Sequence, residues 1–120
     1  MTLLTTTLEL VVGESNVYEI DLNTDLDTGD EVWFTAKYTR SDSDVDAAIA
    51  VTRGGGGIVD VDPGTGRCQV KLTPSDCTGL TGRALLYDTK VKKMDQNPDL
   101  IQTVGKGVII LLHPVNASAL

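Results

Sequence analysis

The sequence predicts an all-β sandwich, and three observations carry that expectation. Short apolar stretches recur at intervals of about 8–12 residues, the spacing of sandwich strands. Gly, Asp and Pro stand between them, and the twelve glycines suit tight turns rather than helices. No stretch has the period of an amphipathic helix, and no internal repeat is present. At 120 residues the chain reads as one domain, able to bury about two-thirds of its unfolded surface. With one Phe, one Trp and three Tyr, the core must be built mainly from Val, Leu, Ile and Ala.

The elements follow in order. Residues 1–7 form a strand-prone N-terminal arm, and Leu8, Leu10 and Val12 then alternate with Glu9 and Val11 up to Gly13. Residues 17–22 alternate with period two, and 23–30 form a polar turn region. In 31–39, Val32, Phe34, Ala36 and Tyr38 share the more apolar face and are expected in the core, with Trp33, Thr35, Lys37 and Thr39 opposite. After a loop at 41–44, residues 47–52 make a short apolar strand, and the glycines 54–57 read as a hairpin tip into strand 58–61. Asp62-Pro63-Gly64 is a turn, 69–72 a strand, and 74–80 a short helical turn containing Pro74 and Cys77. The last two long strands are placed at 83–92 and 106–112, joined by a polar connection.

Charge narrows the function classes. The net charge of −7 opposes a sequence-independent grip on nucleic acid, which requires Lys and Arg on the phosphates. The first 46 residues hold eleven acids against Lys37 and Arg40, net −9, and the remainder six acids against eight bases, net +2. That asymmetry suits either a soluble acidic surface or a polar subunit whose acidic side meets a basic side of its neighbour. No apolar run is long enough to cross a membrane as a helix, and the N-terminus lacks the pattern of a secretion signal. Synthesis in a cytoplasm is the expectation.

Several patterns invite chemistry. Asp21, Asn23, Asp25 and Asp27 alternate as oxygen ligands of calcium loops do, but the register fails, with Leu26 where the turn glycine is needed. A solvated acidic turn is expected, and no metal. The glycines 54–57 lack the Gly-Lys-Ser/Thr of a phosphate loop. His113, the one histidine, precedes Pro114 at a strand end, a structural or surface position rather than that of a catalytic base. Asn116 heads a chance glycosylation sequon. Paired carboxylates of a glycosidase would need a cleft that this small sandwich has little room for. No catalytic residue and no cofactor are expected. Cys68, in a strand, and Cys77, in the turn after Pro74, lack CxxC spacing; free thiols, a disulfide and, least, a metal site remain open, with the reduced form favoured in a cytoplasm.

One clue concerns assembly. Val108 to Leu112 is apolar on both faces, and Ala84-Leu85-Leu86 partly so. One face of each fills the core; the other needs cover, from the chain's own N-terminal segment, from a central strand position, or from another subunit.

Leu72-Thr73-Pro74-Ser75-Asp76 and Thr78, followed by Gly82, Tyr87-Asp88 and then Thr103, Gly105 and Gly107, resemble the small immunoglobulin-like domains of tailed-phage virion proteins in baseplate, neck and tail-fibre-anchoring subunits. Cys77 stands where that pattern has Thr, and the connection 93–102 is longer. The resemblance implies an immunoglobulin-like antiparallel β-sandwich of about seven or eight strands, with Asp76 capping the turn, Tyr87 laid inward, and a Thr-x-x-Gly hairpin entering the last strand. It implies a non-enzymatic structural subunit of tail, baseplate or neck that holds neighbours or anchors a fibre. Its partners would be copies of itself and other virion proteins in a symmetric oligomer, with no nucleic acid and no membrane. The alternative is a carbohydrate- or receptor-binding sandwich module; a hydrolase comes third.

Overall fold

Among the described residues there are eight strands: β1 (Leu4–Val11), β2 (Asn16–Asp21), β3 (Glu31–Lys37), β4 (Ile49–Thr52), β5 (Ile58–Asp62), β6 (Arg67–Leu72), β7 (Ala84–Lys93) and β8 (Leu100–Leu112). This computed structural model describes residues 4–39, 41–42, 47–94 and 100–114; the sequon at Asn116 lies outside them. A five-stranded sheet runs β1-β8-β7-β3-β4 and a three-stranded sheet β2-β6-β5. Their strand order is that of immunoglobulin-type sandwiches, with β2-β6-β5 as B-E-D and β8-β7-β3-β4 as G-F-C-C′. One pair departs from the antiparallel expectation: β1 runs parallel to β8, residues 4–7 facing 105–108 of the same chain. The segment read as an arm is therefore, from Leu4 on, part of the sandwich.

Strict alternation positions the core. Along β3 the even residues Val32, Phe34 and Ala36 are buried, and along β7 the odd residues from Leu85 to Lys93 are. β2 and β6 contribute Tyr18, Ile20, Cys68, Val70 and Leu72 from the other sheet. Three of the five aromatics form one stack through the sandwich. The Phe34 ring lies 6.3 Å from that of Tyr18 and 5.3 Å from that of Tyr87. Each such pair adds about 0.5–1.5 kcal/mol to the burial itself. The Tyr18 hydroxyl donates to the Glu9 carbonyl at 2.8 Å, tying β2 to β1 across the two sheets.

Four expectations are corrected. The glycines 54–57 do not tip a hairpin, because β4 and β5 belong to different sheets and the segment crosses between them. Gly57 lies so close to Val51 that a Cβ there would come within 2.7 Å of the valine Cβ. Thr103, Gly105 and Gly107 lie inside β8, not in a hairpin before it. Thr89 pairs with Gly105 and Lys90 with Thr103, so Val104 is the extra residue of a β-bulge. Tyr38 leaves the core face because β3 ends at Lys37; its exposed hydroxyl instead accepts from the Thr81 amide at 3.0 Å. The 74–80 segment is a run of turns without a helix. Thr73 and Asp76 bond reciprocally there: the Asp76 carboxylate accepts from the Thr73 amide at 2.8 Å, and the Thr73 hydroxyl oxygen accepts from the Asp76 amide at 3.2 Å. That is the geometry of a capping box.

Candidate interaction surface

The acidic loop is the first place to look for a site, and its geometry explains it as structure. Asp21 accepts from the Asn23 amide at 2.9 Å, letting Asn23 adopt a positive φ of 57°. Two cations distant in sequence, Lys93 at the end of β7 and Arg53 in the turn after β4, then brace the loop. The Lys93 ammonium sits 2.7 Å from the buried Asp30 carboxylate and 3.9 Å from those of Asp25 and Asp27, and donates to the Asp25 carbonyl at 2.6 Å. Arg53 donates to the Asp27 and Asp30 carbonyls at 2.8 Å and bonds Asp60 through two nitrogens, at 2.9 and 2.6 Å. Burial pushes the Asp30 carboxyl up, but bonds from Lys93 and from the Asp27 and Met94 amides outweigh it and hold the group below its ordinary value. Burial likewise pulls the Lys93 ammonium down, and Asp30 more than restores it. The centre of the loop thus holds a protein cation. Among the described residues no group of three or more His, Cys, Asp or Glu is placed to hold a metal ion.

The other chemical candidates are dispersed. Cys68 and Cys77 are both free and fully buried, one in β6 and one in the turn before β7. Burial pushes the Cys68 thiol up to about 11 and raises that of Cys77, which also accepts from the Asn16 amide nitrogen at 3.4 Å. His113 stands 2.7 Å from the Gly82 carbonyl through Nε2, latching the end of β8 to the start of β7. At the start of the glycine run 54–57 the Glu31 carboxylate accepts from the Gly54 amide at 2.8 Å. These groups lie in different parts of the fold, each bonded to its own frame.

What the alternation leaves facing outward is a surface. On the outer side of the five-stranded sheet, cross-strand rows place Leu86 between Val108 and Lys37, Asp88 between Lys106 and Thr35, and Lys90 between Thr103 and Trp33. These rows line a concavity of about 980 Å³. Ile101, in its lining, is 55% exposed, and beside it the outward residues Ile110 and Leu112 of β8 are 38% and 39% exposed. The double-faced apolar strand is now accounted for on one side only. Ile109 and Leu111 fill the core, β1 and β7 pair both edges of β8, and its outer face stays exposed. Charge frames this face. Lys37, Lys90, Lys92 and Lys106 oppose Glu9, Glu31 and Asp88, net +1 on a chain of net −7.

Sequence reasoning placed Trp33, Thr35 and Lys37 on the non-core side and singled out the strand after Gly107. It did not find the bulge that brings Ile101 and Thr103 onto the same face, nor the bracing lysine of the acidic loop. Comparison with protein-family models finds no match, and comparison with curated proteins finds none either.

Proposed function

We propose that the chain is a non-enzymatic structural subunit of a tailed-phage virion, acting at tail, baseplate or neck, and that it contacts its neighbours through the outer face of the five-stranded sheet. The observation that carries this reading is that face: Trp33, Leu86 and Val108 half-buried and Ile101 exposed in a concavity, with Ile110 and Leu112 exposed alongside. Exposed apolar groups clustered on a regular sheet, rimmed by lysines, are what a protein–protein contact requires. The face is carried by paired strands over an aromatic stack, an arrangement that lowers the ordering cost of a contact. The phage setting rests on the resemblance of the segment from Leu72 to Gly107. Antibody against the chain, applied to intact particles from a lysate carrying its gene, is expected to label one site on the tail or neck in electron micrographs. Particles that assemble fully and carry no label would overturn the reading.

One observation favours the second reading, a carbohydrate-binding module. Trp33 lies in the concavity beside Thr52, Thr35 and Lys90, an aromatic surface with polar neighbours. Saturable glycan binding that quenches Trp33 emission and is lost in Trp33→Ala would establish it in place of the assembly role.

A further inference from the structure

The opposite side of the sandwich carries a second uncovered face, smaller and of opposite charge. On the three-stranded sheet the outward residues are Val17, Glu19 and Asp21 of β2, Val59 and Asp62 of β5, and Arg67, Gln69 and Lys71 of β6. Val17 is 55% and Val59 39% exposed. Arg67 bonds Glu19 and feels Asp62 and Asp21 close by, so three carboxylates surround one guanidinium. With Lys71 included, this face sums to −1 where the five-stranded face sums to +1.

We infer that copies of this chain stack front to back, the five-stranded face of one against the three-stranded face of the next. The inference rests on the reading of the five-stranded face as an assembly surface, and it names the occupant. Two observations choose a second copy in this orientation. Like-on-like packing would set +1 against +1 or −1 against −1, and would leave the other apolar face of each copy open to water. Front-to-back packing covers both faces of every interior copy with one kind of contact and brings Lys90 and Lys106 towards carboxylates of the neighbour. Such a contact is heterologous, so it does not end at a dimer; it closes into a ring or continues as a stack. Three strands span only about 14 Å at roughly 4.8 Å per strand. Each contact is therefore small, and the free chain associates in the micromolar range or weaker, roughly 8 kcal/mol per contact at most.

Two variants of the full chain test this by complementation. Ile110→Glu disables the five-stranded face and Val59→Glu the three-stranded one; both replace exposed side chains, and unchanged melting temperatures verify their folds. In sedimentation at high protein concentration the wild type is expected above dimer mass and each variant alone at single-chain mass. An equimolar mixture is expected at twice that mass and no higher, because each variant supplies one intact face. If Val59→Glu keeps the wild-type mass while Ile110→Glu falls apart, the five-stranded face packs on itself; the inference fails and the assembly reading stands. If neither variant changes the mass of an associated wild type, the inference fails and the assembly reading falls with it. A wild type that stays monomeric at its solubility limit also overturns the inference, while labelling of particles tests the reading separately.

Discussion

Replacing Lys93 by Met removes the charge at the centre of the acidic loop while keeping an apolar stem of similar length. Its consequence follows from the geometry. The Asp30 side chain is 1% exposed and loses an ion pair of 2.7 Å. It retains the Asp27 and Met94 amides at 2.9 and 3.0 Å, while the Asp25 carbonyl loses its ammonium donor. Breaking a buried pair by deleting one partner costs about 3–5 kcal/mol. The surviving amide bonds place this case at the low end, about 3 kcal/mol out of a total of roughly 5–15. At about 3–5 °C per kcal/mol for a chain of this size, the melting temperature falls by roughly 10 °C. The pH dependence identifies the cause. In the wild type the Asp30 carboxyl is held below its ordinary value, so it contributes stability above its unfolded value of about 4, lost as pH falls through the lower folded value. In Lys93→Met, burial acts on Asp30 without the ammonium and moves the carboxyl upward. The deficit is then greatest at neutral pH and shrinks towards about pH 4. Urea unfolding followed by Trp33 fluorescence at both pH values measures it. A deficit under about 1 kcal/mol, the value of an exposed pair, or one indifferent to pH, would refute the account of the loop.

Three further outcomes are expected. Gly66→Ala destabilises by roughly 2–4 kcal/mol, since Gly66 has a φ of 85° and an added Cβ would overlap the Thr24 carbonyl oxygen. Gly82→Ala, at a φ of 79° with open space around it, costs only about 1 kcal/mol, and equal losses in thermal unfolding would contradict the steric argument. Cys68 and Cys77, both buried, react with an aromatic disulfide reagent at neutral pH only as fast as the protein opens; immediate labelling of the native chain would contradict their placement. Added calcium leaves the melting temperature unchanged, because Lys93 already occupies the centre of the carboxylates, and a rise abolished in Asp25→Ala would overturn that.

Where one face of a strand is buried, the sequence was readable. β3 and β7 alternate so strictly that their core and solvent faces follow from parity alone, and Trp33 falls on the outer side as expected. Segments with glycine misled, because a glycine marks a special backbone without saying which. Gly105 lies at a bulge inside β8, and Gly57 at a close approach to Val51 between sheets. The acidic loop looked like a solvated turn because its partners, Arg53 and Lys93, are remote in sequence. A signal existed in the parity of β7: Lys90 and Lys92 point outward, so Lys93 must point inward and needs a buried acid. The outer face was half legible. The doubled apolar pattern of 108–112 marked it, but only the pairing of β8 between β1 and β7 distinguishes edge pairing from cover of a face. Among the described residues no buried side-chain nitrogen or oxygen lacks a partner, so the sandwich is satisfied internally and its unmet surface is apolar.

The most direct test of that unmet surface uses the chain's one tryptophan, half-buried in the concavity of the five-stranded face. Trp33 emission and sedimentation mass are measured together along a dilution series. If this face is the assembly contact, emission moves to longer wavelength as the mass falls, because dissociation returns the indole to water. A fall in mass with unchanged emission would place the contact elsewhere on the molecule and contradict the account.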